Sequence, residues 1–376
     1  CYAYKGQGYM WQNDYANAKV ELAKVINSGK YELWDKTATM GPSSYGTNMQ
    51  LAKSQNENWS DGSEEYEYLT LYRAEADFCD EFLLELDIDG DMTTITSTEP
   101  YWFRAYMNWR KDEVNLPGNT TTASDGWGFI NPTRTFGYAF AKHDGNSVRR
   151  RAAIATYSEV YHDFPYLNKD VRGVMSSMLF ENEGYFRMKY YDYVDDVVPE
   201  RFASGQTNGN RTNFPLMRYA DVLLLYAEAV CMSGEGTANI SGLEALNKVR
   251  RRAGLTDAPA LDMDNAEYGI KAERRFELWL EDCSRYVDLI RWGDYKKFIT
   301  DTSIDGVSEH WGNECAWLVG LKDATKRTTD PTDWSNYEVR YDPLSTRGTW
   351  SDRFYLWPFP YAETTQNPNL VQNTGW

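Results

Sequence analysis

The sequence predicts a mainly α fold in which tetratricopeptide-like helical hairpins support a loop-rich region containing short strands. Three observations predict it. Residues 11–31, "WQNDYANAKVELAKVINSGKY", place Tyr15, Ala18, Leu22, Ala23, Val25 and Ile26 on one helical face. Three further amphipathic faces follow one another between residues 219 and 290. From 35 to about 125 the chain is instead rich in Gly, Ser, Thr, Asn and Asp, the residues of turns and loops.

Taken in order, residues 1–34 form a tetratricopeptide-like helical segment, with Gly29 as the stop of its helix. Residues 35–213 form a loop-rich ligand-binding region. Its convincing strand is 82–88, "FLLELDI", where large apolar residues partly alternate with polar ones. Asn131-Pro132 reads as a turn, residues 133–141 as a short helix, Asp144-Gly145 as a second turn, and "YFRMKYY" (185–191) as an extended, partly buried strand.

Residues 214–300 are the helical hairpins of the scaffold. Tyr219, Val222, Leu223, Tyr226, Ala227 and Val230 share one face, and Leu243, Leu246, Val249 and Ala253 a second. Phe276, Leu280, Tyr286, Val287 and Ile290 mark a third, and Gly254 and Gly293 close the last two helices. No strict repeat period is visible, so these are degenerate hairpins that bury a full core only by stacking on neighbours.

Residues 301–376 are loops and an extended tail. In its last 22 residues, "YLWPFPYAETTQNPNLVQNTGW", Pro358, Pro360 and Pro368 fix φ and push their predecessors to extended geometry. The tail is therefore expected to run non-helically across the body and to bury Trp357, Phe359, Leu370 and Trp376.

Composition narrows the function. The 376 residues include 28 Tyr, 14 Trp and 15 Phe, so much of the apolar area lies in rings, some with a polar handle that keeps them near the surface. A net charge of −17 repels nucleic acid and anionic bilayers. The apolar run around Val222 to Ala227 is far shorter than the roughly 20 residues of a membrane-spanning helix. Five cysteines without a CxxC pair indicate neither a zinc site nor a complete disulfide framework, and Cys231 and Cys283 read as small core hydrophobes.

The motifs for chemistry are weak. Glu273, Glu277 and Glu281 recur every four residues, a spacing that suits a metal or acid/base site if buried, but interleaved Arg274, Arg275, Arg285 and Arg291 favour ion pairs. Glu281 with Arg285 and Arg218 with Asp221 have pairing separations. "DIDGD" offers Asp87, Asp89 and Asp91 for calcium, yet Met92 and Thr98 stand where an EF-hand needs Gly and Glu, so a solvated turn fits better. No metal or cofactor is otherwise indicated. Three scattered histidines, with no HExxH, no nucleophile elbow and no phosphate loop, leave hydrolysis without a motif. A glycosidase needs only two carboxylates, and nothing in the chain singles out such a pair.

The functional patch is "EPYWFRAYMNWR" (99–110). Tyr101, Trp102, Tyr106 and Trp109 can stack on the apolar faces of sugars while Arg104 and Asn108 satisfy hydroxyls, and the same set can clasp a peptide. The competing reading makes the rings the cap of the loop region's own core.

The tail, with "FPLMRYADVLLLYAEAV" (214–230) and "AERRFELWLEDCSRYVDLIRWGD" (272–294), resembles the SusD/RagB family of outer-membrane nutrient-binding lipoproteins. The resemblance covers most of residues 11–376, and its specific motifs lie after Gly126. It implies a binder rather than an enzyme: a surface-exposed lipoprotein that captures oligosaccharides and lids a SusC-type TonB-dependent transporter. A RagB-like peptide binder is the nearest alternative, with a glycoside hydrolase and a ligand-free scaffold as rivals. The arginine-rich helix is structural in such proteins. Similar helices there lie well inside the chain, behind a lipidated cysteine, so this sequence is expected to lack an N-terminal part carrying the anchor, and Cys1 is not read as the lipidated residue.

Overall fold

The computed structural model describes residues 1–34, 71–72, 76–87, 128, 130–163, 183–190, 213–281, 284–300, 314–343 and 351–376. The chain opens on a helical hairpin, α1 (Tyr2–Trp11) and α2 (Tyr15–Ile26). Asp14 caps α2 by accepting from the Asn17 amide at 3.1 Å, which satisfies one of the free N–H groups of its first turn. The predicted face of α2 is buried from Ala18 to Ile26.

The partner helix α1 was not expected. It buries only Ala3, Gly6 and Met10, so small residues carry its stripe, and a Cβ on Gly6 would sit 2.7 Å from Leu22 Cγ. That close approach is what lets the two helices pack.

β1 (Phe82–Leu86) appears where predicted and pairs antiparallel with β4 (Phe214–Arg218), Leu86 opposite Phe214 and Phe82 opposite Arg218. The helical motif beginning at Phe214 thus starts as a strand, which Pro215 fits, and becomes helix only at Tyr219. Between these come α3 (Arg134–Asp144), α4 (Val148–Ala153), β2 (Ile154–Thr156), α5 (Tyr157–Asp163) and β3 (Tyr185–Arg187). Thr133 and Ser147 cap α3 and α4. β2 and β3 pair antiparallel, and β3 is fully buried, shorter and deeper than the predicted strand.

α6 (Tyr219–Ser233) is the central helix. Besides the predicted face it buries Ala220, Leu224, Leu225, Glu228 and Ala229, so it is a core helix enclosed all round rather than an amphipathic one. It packs against α2 on one side and α7 (Gly242–Arg252) on another. A second core joins Phe140 of α3, Ile154 of β2, Tyr185 of β3 and Phe276 of α8 (Ile270–Glu277), with the rings of Phe140 and Phe276 stacked at 4.8 Å.

The helix predicted to run through residues 272–294 is broken. α8 ends at Glu277, Leu280 takes φ 63°, and α9 (Ser284–Arg291) restarts before α10 (Tyr295–Thr300). A left-handed leucine is costly, and neither Gly nor Pro marks the break.

Beyond it, β5 (Glu314–Leu321) and β6 (Tyr337–Pro343) form an antiparallel ribbon where loops were expected. The tail departs from expectation too. A 3₁₀ turn (Asp352–Tyr355) precedes α11 (Tyr361–Gln366), a helix that fits between Pro360 and Pro368. Trp357, Phe359 and Trp376 are exposed, not buried, and Leu370 is half-buried. Side-chain bonds hold the tail instead: Gln372 both accepts from the Phe359 amide and donates to its carbonyl. Among the described residues no helix is long and apolar enough to cross a membrane.

Candidate functional site

The interior carries an ionic network centred on α8. Arg149 of α4 donates to both oxygens of Asp144 at 2.9 Å, and its remaining nitrogen reaches Glu273 at 2.8 Å and Glu277 at 3.3 Å. Arg218, the last residue of β4, donates to Glu81 at 2.6 Å, Glu277 at 2.8 Å and Glu281 at 2.5 and 2.9 Å. Arg252 joins Glu81 at 2.7 Å to Glu277 at 2.5 Å, Arg250 bonds Glu273, and Lys189 bonds Glu281. The three carboxylates spaced by four are therefore buried, as a site would require. They face guanidinium and ammonium groups brought from β4, α4, α7 and the segment after β3.

Burial opposes charge here, and the pairing outweighs it. Desolvation pushes the Glu277 carboxyl up, but Arg252, Arg218 and Arg149 hold it far below the usual range. Burial likewise raises Asp144, yet Arg149 and His143 bring it down to about 2. For Lys189 desolvation wins over the Glu281 carboxylate and lowers the ammonium to about 8.

A second set of pairs ties the helices together. Arg274 of α8 bridges Asp221 of α6 and Asp288 of α9 at 2.7 Å each. Arg291 grips Asp288 at 2.9 Å and Glu228, which also accepts from the Trp292 indole at 2.9 Å. The pair expected between Arg218 and Asp221 does not form, because Arg218 points into the network and Asp221 turns to Arg274. Glu281 is taken by Arg218, Lys189 and the Tyr72 hydroxyl rather than Arg285, whose guanidinium lies 5.1 Å over the Phe298 ring.

Two cavities flank this scaffold. One of about 330 Å³ lies between α1, β4 and the α8–α9 turn, lined by Trp11, Met217, Arg218, Asp221 and Glu281, whose charges are already paired. The other, of about 650 Å³, is bounded by α3, the loop around Asn265, α8, α9 and α10.

The predicted ligand residues Tyr101, Trp102, Arg104, Tyr106, Asn108 and Trp109 lie outside the described residues, as do Asp89 and Asp91 of the calcium turn; Asp87 is exposed. What the sequence reading missed is the reach of the network: Glu81, Arg149, Lys189, Arg250 and Arg252. The arginine triplets 149–151 and 250–252, each in or beside an apolar helical pattern, are the signal that could have found part of it.

The model of the SusD family matches residues 80–376. The chain belongs to the SusD family. A SusD-like protein of Bacteroides ovatus is 28% identical to it over 164 residues, 42% of this chain and 28% of that protein. Among solved structures, a SusD-like protein from Bacteroides fragilis NCTC 9343 superposes with a TM-score of 0.62 at 19% identity, covering 100% of this chain and 64% of that one. Surface glycan-binding protein A from Bacteroides thetaiotaomicron in complex with laminarihexaose gives 0.56 at 19% identity, over 99% of this chain and 62% of that one. This SusD-family chain thus spans less than two thirds of each of these relatives. Identities this low speak to fold, and the fold they share is the helix-rich one described above.

For a SusD-family member the electrostatics above carry a chemical consequence. A general acid at neutral pH needs a raised carboxyl. Burial raises Glu277 and Glu281 but their cationic partners lower them further, so these carboxylates, at and just after the end of α8, serve as anchors for arginine and lysine.

Proposed function

We propose that this SusD-family chain is a surface-exposed glycan-binding protein that captures oligosaccharides and delivers them to a SusC-type TonB-dependent outer-membrane transporter. The family match over residues 80–376 carries the reading, and a fold neighbour described as bound to laminarihexaose supports the glycan as ligand class. The buried network fits a rigid frame for binding loops: charges locked on α4, α7 and α8 leave little for chemistry and much for positioning. The ligand contacts are assigned to Tyr101, Trp102, Arg104, Tyr106, Asn108 and Trp109, whose rings and polar groups suit stacking on sugars. On this reading the protein is held at the outer membrane by a lipid anchor.

Titration calorimetry against a panel of neutral oligosaccharides tests the reading. Binding without release of reducing ends is expected, with Trp102→Ala and Trp109→Ala weakening it while melting stays nearly unchanged. A loss of stability of about 3–5 kcal/mol in either variant would make that ring core instead. Release of reducing ends would convert the assignment to a glycoside hydrolase, and binding of peptides alone would make the protein a peptide carrier. Gentle detergent extraction should recover it with a large outer-membrane β-barrel; a monodisperse monomer would remove the transporter from the proposal.

A further inference from the structure

The cavity of about 330 Å³ between α1, β4 and the α8–α9 turn has charged groups that are all paired and neutral groups that are not. Arg218 and Glu281 in its wall bond to each other, and Asp288 is shared by Arg274 and Arg291. Arg274 also donates Nη1–H to Asp221 Oδ1 at 2.7 Å. Every carboxylate and guanidinium of the lining thus has its ion-pair partner. A charged ligand would enter without a counter-charge, and burying an unpaired charge is costly. The cavity therefore suits a neutral molecule.

Recognition falls to groups that are still available. Trp11, the last residue of α1, lines the cavity while 45% exposed, and its indole N–H makes no hydrogen bond with the described residues. Gln7, one turn earlier on the same helix, is half-buried, and its side-chain amide makes none either. Pro215, Met217, Leu278 and Val287 add apolar wall. The ion pair at the back also keeps hydrogen-bonding capacity. The Arg274 side chain is 2% exposed, yet its Nη2 donates to none of the described residues, and Asp221 Oδ2 accepts from none. A donor and an acceptor left unused in so buried a wall call for a partner.

We propose that this cavity receives the terminal pyranose of a neutral glycan, one face of the ring against Trp11 and its hydroxyls bonded to Gln7, Arg274 Nη2 and Asp221 Oδ2. A pyranose has an apolar face for an aromatic ring and hydroxyls that both donate and accept, the combination this wall offers. The volume lies at the low end of the roughly 300–1,000 Å³ of small-molecule sites, so it holds one ring rather than a chain. An amino acid of similar size brings two charges for which the wall has no partner. The inference rests on the glycan-binding reading and adds to it a contact made by the scaffold itself, with residues other than Tyr101 to Trp109.

The test titrates the 376-residue chain with the methyl pyranosides of glucose, galactose and mannose, and with the uronic-acid and 2-amino-2-deoxy counterparts of each, by saturation-transfer NMR. At least one neutral pyranoside should bind with about millimolar affinity, and its two charged counterparts about tenfold or more weakly. Trp11→Ala should weaken the neutral sugar about tenfold and Gln7→Ala about threefold, while Trp11→Phe, which keeps a ring, should retain most of the affinity. Both residues are open to solvent, so the variants should melt close to the wild type; should Trp11→Ala melt early, Gln7→Ala and Trp11→Phe carry the test. A pyranoside affinity that survives both Trp11→Ala and Gln7→Ala, or a charged counterpart bound as tightly as its neutral sugar, overturns the inference while the glycan-binding reading stands. So does a chain that binds oligosaccharides but no pyranoside. Pyranoside binding that depends on Trp11 and Gln7, with no oligosaccharide bound, supports the cavity alone, and no binding of any sugar rejects both.

Discussion

Replacing Arg218 by methionine should destabilise this protein more than any change at its surface. Arg218 is almost fully buried and donates to Glu81, Glu277 and Glu281. Around it Arg149, Lys189, Arg250 and Arg252 supply the other cations of the network, and Asp144 and Glu273 the other carboxylates. Five cations thus face five carboxylates. Methionine keeps most of the side-chain volume but leaves one negative charge uncompensated where water cannot reach, a loss of about 3–5 kcal/mol. Against a typical total of about 5–15 kcal/mol, that is enough to shift a urea midpoint markedly. The reference is Arg251→Ala: Arg251 pairs with Glu244 at 2.5 Å with both side chains half open to water, so its loss should cost under about 1 kcal/mol. Adding Glu281→Gln to Arg218→Met should recover part of the loss, because it removes the surplus charge. If Arg218→Met unfolds at the same urea concentration as Arg251→Ala, the network contributes no more than a surface pair and the reasoning fails.

Acid should unfold the protein through the same chemistry. Asp144 and Glu159, each held down to about 2 by its arginine partners against the pull of burial, bind protons more readily unfolded than folded. Their contribution, about 2–3 kcal/mol each, is present above the ordinary carboxylate range and lost as pH falls from about 4.5 to 2, so the melting temperature should drop over that window and hold flat from pH 5 to 7. Gly137→Ala should destabilise by about 1–3 kcal/mol, since its Cβ would lie 2.2 Å from the Tyr185 ring; Gly8→Ala, with nothing within 4 Å, should raise stability by up to about 1 kcal/mol through helix propensity. Thermal melts of the two variants check both signs. Trp357 is 76% exposed, so Trp357→Ala should leave the urea midpoint nearly unchanged, and a large shift would show that the tail carries the core.

How far the sequence foretold this follows from which forces leave a periodic trace. α2, α6, α7 and β1 were legible because apolar residues recur at the spacing of a helix or strand. α1 was not, because its buried stripe is Ala3, Gly6 and Met10 while Tyr2 and Tyr4 are exposed, so an apolar scan sees no face. The break after Glu277 left no trace either, since nothing about Leu280 announces a left-handed residue until the ionic network holds both flanks. The tail misled in the opposite sense: three prolines argued against helix, yet the gap between Pro360 and Pro368 leaves room for the 6-residue α11. Glu273, Glu277 and Glu281 were visible as one face, whereas their cationic partners lie up to 128 positions away and no local pattern joins Glu277 to Glu81 through Arg218.

The network also bears on how one frame can serve different ligands. An apolar core tolerates small shifts, because burial is non-directional, whereas a bidentate guanidinium fixes distance and orientation together. Arg149 ties α4 to α8, Arg218 ties β4 to α8 and to Glu81 before β1, and Arg274 ties α6, α8 and α9. Helices held this way keep their relative positions when the loops between them change. If Tyr101 to Trp109 carry the ligand contacts as proposed, that division of labour lets them vary with the ligand without cost to the frame.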